Sequence, residues 1–159
     1  MNNNKGFSLV ELIIVIAIMA ILVGVMAPQL IKYIEKTNVS SDTQLCDTVK
    51  TAVTTAVMDP EVLNDSSSVT TISGWSSPTA LSTLSGTTPK CTSSVLEALG
   101  VSQGSQANSQ LKSSGATGVT FQVMGANSVH VWIAGTDKRG KKGGTGWNNS
   151  ATGDWIYVD

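Results

Sequence analysis

One acid and one peptide bond near the N-terminus offer the clearest chemistry in this chain. The sequence opens MNNNKGFSLVELIIVIAIMAILVGVMAPQLIKYIEK; residues 12–31 hold no charge, yet Glu11 lies just inside the front of that apolar run. A carboxylate well inside a bilayer costs about 2.5–3.5 kcal/mol on insertion scales, so such a residue normally has a partner and a purpose. A cut between Gly6 and Phe7 would supply the partner, a new α-amino group at Phe7, one helical turn from Glu11. Within one chain the two charges would partly neutralise each other. In a stack of identical chains, Glu11 of one copy would meet the Phe7 amine of its neighbour. A buried carboxylate is tolerable when paired and costly when unpaired. The pair would thus set the register between copies, as a single buried polar residue does in a coiled coil.

The element that must position this acid is the run itself. From Phe7 it is Leu, Ile and Val interrupted by small residues, Met and Glu11, and about 18–20 apolar residues suffice to cross a bilayer as a helix. Lys5 precedes the run, which leaves the short N-terminus in the cytoplasm and the bulk of the chain outside. Two other readings of the segment compete. A secretory signal cut after Val25-Met26-Ala27 would carry Glu11 in its apolar core and place Pro28 directly after the cut. A plain signal anchor gives no reason for Glu11.

The stretch KGFSLVELIIVIAIMAIL resembles the N-terminus of type IV pilins and their relatives, the pseudopilins of type II secretion and the competence pilins. The resemblance runs from residue 5 to about residue 58. It implies that a prepilin peptidase cuts after Gly6 and methylates Phe7, and that Glu11 is the assembly residue. Ser8 stands where many relatives carry Thr. It further implies a structural subunit rather than an enzyme, with no cofactor: in the first place a major pilin. The partners implied are other copies in a homopolymeric helical filament, the peptidase, the assembly platform and minor pilins. The membrane holds the single-pass precursor, N-terminus inside, before the subunit joins an extracellular pilus. A pseudopilin of a type II secretion or competence system is the alternative, and a membrane-anchored extracellular binding module that never polymerises is the reading from another class.

The expected organisation is a leader over residues 1–6, a transmembrane or filament-core half-helix over 7–28, an amphipathic half-helix over 29–60 and a globular domain over 61–159. Pro28 falls inside this helix, where it removes one hydrogen bond and crowds the carbonyl of Gly24. Gly24 is itself a weak helix former. The pair reads either as a static kink or, as the resemblance implies, as a stretch that unwinds when subunits pack. Farther on, Leu45, Val49, Ala52, Val53, Ala56 and Val57 form an amphipathic stripe opposite Lys50, Thr51 and Thr54. Asp59-Pro60 ends the helix, giving a span from about 7 to 58 that is roughly 75–80 Å long. Cys46 borders the stripe and Cys91 lies in the remainder; a disulfide between them and two small buried thiols are both open.

Residues 64–90 are dense in Ser, Thr, Gly and Pro and are expected as loops with one short strand. TSSVLEALG is expected as a short helix, with a capping box from Ser94 to Glu97 and Gly100 at its C-terminal end. The C-terminal third turns to period two. Val119, Phe121 and Val123 alternate with Thr120 and Gln122, then Val129, Val131 and Ile133 with His130 and Trp132; the two runs predict a hairpin. DWIYVD closes a sheet of three to four antiparallel strands packed on the half-helix, an α+β unit that resembles the pilin fold.

The loop GTDKRGKKGGTGWNNSATGD clusters Lys138, Arg139, Lys141 and Lys142 near Trp147. It reads as a solvated loop or as an anion-binding site for DNA or surface polymers. The net charge of −1 carries no global nucleic-acid signature, and losing Lys5 with the leader would take the side-chain charge to −2. No nucleophile–base constellation and no metal-spaced ligand set is present: His130 is the single histidine, and Asp137 and Asp154 flank the Gly-rich loop without an acidic run beside them.

Overall fold

In a computed structural model of the chain, the described residues are 7–86, 89–125, 128–135 and, as backbone alone, 154–158. The chain divides into two units, Met1–Thr37 and Asn38–Asp159, and helix α1 (Leu9–Met58) contributes to both. In the first unit every side chain from 7 to 34 is exposed. An 18-residue window there has a mean hydropathy of 3.0, long and apolar enough to cross a membrane by length and composition. Gly24 and Pro28 both lie inside the unbroken helix.

The second unit begins with the amphipathic half of α1. Its buried residues are Asp42, Cys46, Val49, Ala52, Val53, Ala56 and Val57, which share one helical face. The stripe therefore runs deeper at its start than the apolar pattern predicts. Cys46 is fully buried rather than at the edge, whereas Leu45 is half-buried. Asp42 extends the face by one further turn, as an acid that an apolar count excludes.

The Ser/Thr-rich stretch expected as loops is largely helical. Asp59-Pro60 ends α1 and at once starts α2 (Pro60–Leu63), with Pro60 in the first turn and the Asp59 carboxylate accepting the Glu61 N–H. Asp65 does the same for α3 (Ser66–Gly74), accepting the Ser68 N–H. The N-cap acids satisfy donors that would otherwise be orphaned, and Val62 and Trp75 anchor the two short helices in the core. Strand β1 (Thr79–Ala80) and a 3₁₀ turn at Leu81–Thr83 follow.

Helix α4 spans Lys90–Ala98 with Pro89 at its N-cap, so the expected capping box from Ser94 does not form; Ser94 lies mid-helix. The C-terminal end is as expected. Gly100 takes φ +67°, its N–H donates to the Glu97 carbonyl at 2.9 Å and the Val101 N–H to the Leu96 carbonyl at 3.0 Å, the bond pair of a Schellman motif. Helix α5 (Gly104–Asn108) then leads to β2 (Ala116–Val123), β3 (Val129–Gly135) and β4 (Asp154–Val158).

The sheet is antiparallel in the order β1-β2-β3-β4. Val119, Phe121 and Val123 point into the core as the alternation predicts. Trp132, expected on the other face with His130, is also buried, so β3 is covered on both sides at that position. The outer edge of β2 is closed piecewise: the Val119 N–H donates to Asn108 Oδ1 at 3.0 Å, β1 pairs at Thr120 and Phe121, and the Val123 N–H reaches the Trp75 carbonyl at 2.8 Å. From Val119 to Val123 that edge is therefore partnered rather than open as a template for stray pairing. Trp75 meets Phe121 edge-on, with ring centroids 5.2 Å apart, a favourable aromatic geometry. The α+β architecture expected from the sequence is the observed one.

Candidate functional site

The helix start is where the sequence places its chemistry. Ser8 precedes the first helical residue, and its N–H donates to Glu11 Oε2 at 2.9 Å while its carbonyl accepts the Leu12 N–H at 3.2 Å. This is one half of a capping box: an acid at the third helical position reaches back to the N-cap backbone. Glu11 therefore has a partner within its own chain, and its negative charge lies at the positive end of the helix. Phe7 is 86% exposed immediately ahead of it; Gly6 lies outside the described residues. Behind the cap, apolar side chains cover the helix all round, with Leu12, Ile16, Met19 and Val23 among those facing outward. A helix apolar on every side requires lipid or other apolar helices around it.

The C-terminal unit holds its half of α1 through a buried carboxylate that sequence reasoning did not identify. Asp42 is 0% exposed. Its Oδ1 accepts the Lys112 N–H at 2.9 Å and its Oδ2 the Ser113 N–H at 2.9 Å, and the Ser113 hydroxyl also donates to Oδ2. The segment between α5 and β2 is thus fastened to α1 by three donors on one acid. The only sequence signal is the helical spacing from Asp42 to Cys46 and Val49, visible once a polar residue is admitted to the stripe.

A second polar chain links α3 to α4. The Ser68 hydroxyl donates to Asp65 Oδ2 at 2.6 Å and accepts the Cys91 N–H at 3.0 Å. Ser68 is fully buried and supplies α4 with the N-terminal acceptor that Pro89 cannot provide. Hydrogen bonds from Ser68 and Ser67 hold the Asp65 carboxyl down to about 2.

Cys46 and Cys91 are both fully buried in one core cluster, as free thiols and not as a disulfide. Burial, with Asp42 and Asp47 adding to it, pushes the Cys46 thiol up to about 12. His130 lies on β3 with Nε2 3.1 Å from the Ser128 hydroxyl. The basic cluster Lys138, Arg139, Lys141 and Lys142, together with Asp137 and Trp147, lies outside the described residues.

Known proteins match the same N-terminal part of the chain. A family described as the prokaryotic N-terminal methylation motif matches residues 1–27. Over 55 residues the chain is 46% identical to a fimbrial protein of Moraxella nonliquefaciens, a match covering 35% of this chain and 36% of that protein. No solved structure matches the chain. Ahead of its apolar helix and α+β unit, the chain bears the prokaryotic N-terminal methylation motif, and over about a third of its length it is similar to a fimbrial protein.

Proposed function

We propose that this chain is a subunit of a type IV pilus, in the first place its major pilin. The precursor spans the cytoplasmic membrane with residues 1–6 inside. A prepilin peptidase cuts between Gly6 and Phe7 and methylates Phe7, and an assembly platform with minor pilins draws the subunit into an extracellular filament. The observation that supports this best is the exposed helix from Leu9, apolar all round, with one acid at its very start. Lipid covers that helix before assembly, and the same helices of other copies cover it afterwards. Glu11, held by Ser8 in the single chain, exchanges that bond for the Phe7 amine of a neighbour. Gly24 and Pro28 supply the weak stretch where the helix can extend under load.

Mass spectrometry of the mature N-terminus tests the reading. A chain beginning at methylated Phe7 is the expected result; one beginning at Met1 or Pro28 rejects it. Electron microscopy then separates the pilus from the pseudopilus of a secretion or competence system, since the first predicts long extracellular fibres.

A further inference from the structure

The C-terminal unit presents a second apolar surface, at the far end of α1. A groove of about 590 Å³ opens between Val57 and Met58 of α1, Leu63 of α2, Ile72 of α3 and Val123 at the end of β2. Met58 and Leu63, side by side in this depression, are 47% and 52% exposed. Such grouped apolar exposure marks a contact surface, and Met in it suits a partner of irregular shape. The segment that joins the lining residues Met58 and Leu63, and continues past them, is acidic. The stretch 59–65 carries Asp59, Glu61 and Asp65 and no base, which disfavours anionic lipid or DNA as the occupant.

The chain itself contains the complementary surface. The stretch LIKYIEK, residues 30–36, overlaps the end of the uncharged run and exposes Leu30, Ile31, Tyr33 and Ile34 beside Lys32, Glu35 and Lys36, a net charge of +1. Apolar side chains in a stretch of net positive charge match an apolar groove whose adjoining segment 59–65 is net negative.

We infer that the groove receives the Leu30–Lys36 stretch of a second copy, with Tyr33 and its apolar neighbours against Met58 and Leu63, and Lys32 and Lys36 facing Asp59 and Glu61. The contact joins two different patches of the same chain. It is therefore heterologous and generates an open array rather than a closed dimer. It rests on the filament reading and adds to it an interface that does not involve Glu11.

Cross-linking of whole filaments tests the contact. Tyr33→Cys and Leu63→Cys chains are expressed separately and together, and sheared filaments are treated with a short bismaleimide; native Cys46 and Cys91 are fully buried and stay silent. The expected result is a dimer band only when both variants are present, and a ladder when one chain carries both. Filaments that assemble normally but yield no band, or a dimer from Leu63→Cys alone, overturn this interface and leave the filament reading intact. Absence of fibres from the wild-type chain overturns both. Charge exchange gives an independent check: Glu61→Lys and Lys36→Glu each lower the yield of pelleted filament, and the two combined restore it. Single reversals without loss, or a loss without restoration, count against the contact.

Discussion

Asp42 and Ser113 are 71 residues apart in the chain, yet the Ser113 N–H donates to the Asp42 carboxylate at 2.9 Å and its hydroxyl donates to the same oxygen. With the Lys112 N–H on the other oxygen, this acid is the first buried residue of α1 within the C-terminal unit. Removing one partner of a buried polar set leaves the rest desolvated without compensation. Asp42→Ala strands these donors and is therefore expected to destabilise the protein by about 3 kcal/mol, at about 1–3 kcal/mol for each buried donor left unsatisfied. Asp42→Asn keeps the volume, but its NH₂ group meets a backbone donor in place of an acceptor, so it recovers only part of the loss. Denaturant titration of the two variants checks the ordering; a loss below about 1 kcal/mol for Asp42→Ala would place the acid outside the group of buried, hydrogen-bonded charges.

Gly104 is packed directly against backbone. A Cβ there would lie 1.7 Å from the Leu81 carbonyl oxygen, and the Gly104 N–H donates to the Leu84 carbonyl at 2.9 Å. The 3₁₀ turn and α5 touch through bare backbone, and no rotamer change can relieve the clash. Gly104→Ala should cost at least about 3 kcal/mol by forced backbone displacement. Gly74→Ala, where a Cβ meets nothing within 4 Å, should stay within about 1 kcal/mol of wild type. Thermal melts of the pair distinguish steric exclusion at Gly104 from a general intolerance of alanine.

The parts of the fold legible in the sequence are those set by periodicity over many residues. The long helix, the stripe from Val49 to Val57 and the two alternating strands each repeat a signal several times, and the structure carries all of them. The misses share a different cause. Residues 66–74 have poor helix propensity, and what makes them helical is the Asp65 cap together with anchoring by Trp75 and Val62, a tertiary effect that local composition conceals. Ser94 and Glu97 have capping-box spacing, but Ser68 already supplies the acceptor for the Cys91 N–H, three residues before Ser94 and nearer the start of α4. Asp42 escaped notice because its partners are backbone N–H groups, which leave no mark on residue identity. At the helix start, the motif from Gly6 to Glu11 is legible because the chemistry is local; the bond from the Ser8 N–H to Glu11 spans three residues.

Asp65 gives the acid limb of stability a defined contributor. Its carboxyl is lowered from 3.8 to about 2 by the Ser68 and Ser67 hydrogen bonds. A group with a depressed native value stabilises the fold above its unfolded value and loses that contribution as pH falls through the native one. The window is thus from about pH 4 down to about pH 2. Asp65→Asn can still cap α3 but does not titrate. Melting points across that window should fall less steeply for Asp65→Asn than for wild type, with the two curves parallel above pH 5; parallel curves throughout would remove Asp65 from the acid transition.

The two thiols predict a sharp contrast in reactivity. Only the thiolate is nucleophilic, and Cys46 is both fully buried and pushed up to about 12. At neutral pH the native protein should resist iodoacetamide, and denaturation without reductant should release two alkylatable thiols per chain. A denatured chain that alkylates only after reduction would instead reveal a Cys46–Cys91 bridge.

The cap that Glu11 makes with Ser8 and the pairing proposed for it between copies are separable, and one substitution divides them. Gln at the third helical position can make the same reach-back bond to the Ser8 N–H, so Glu11→Gln preserves the cap and deletes the charge. Glu11→Ala deletes both. If the acid only started the helix, Glu11→Gln would assemble like wild type and Glu11→Ala would not. If the acid pairs with the Phe7 amine of a neighbouring copy, both variants reach the membrane and both fail to form fibres, because a neutral amide leaves the neighbour's ammonium buried without a counter-charge. The filament reading requires the second pattern. Quantifying membrane-fraction protein beside sheared surface filament in the two strains decides it: an assembling Glu11→Gln chain would confine this carboxylate to its own helix.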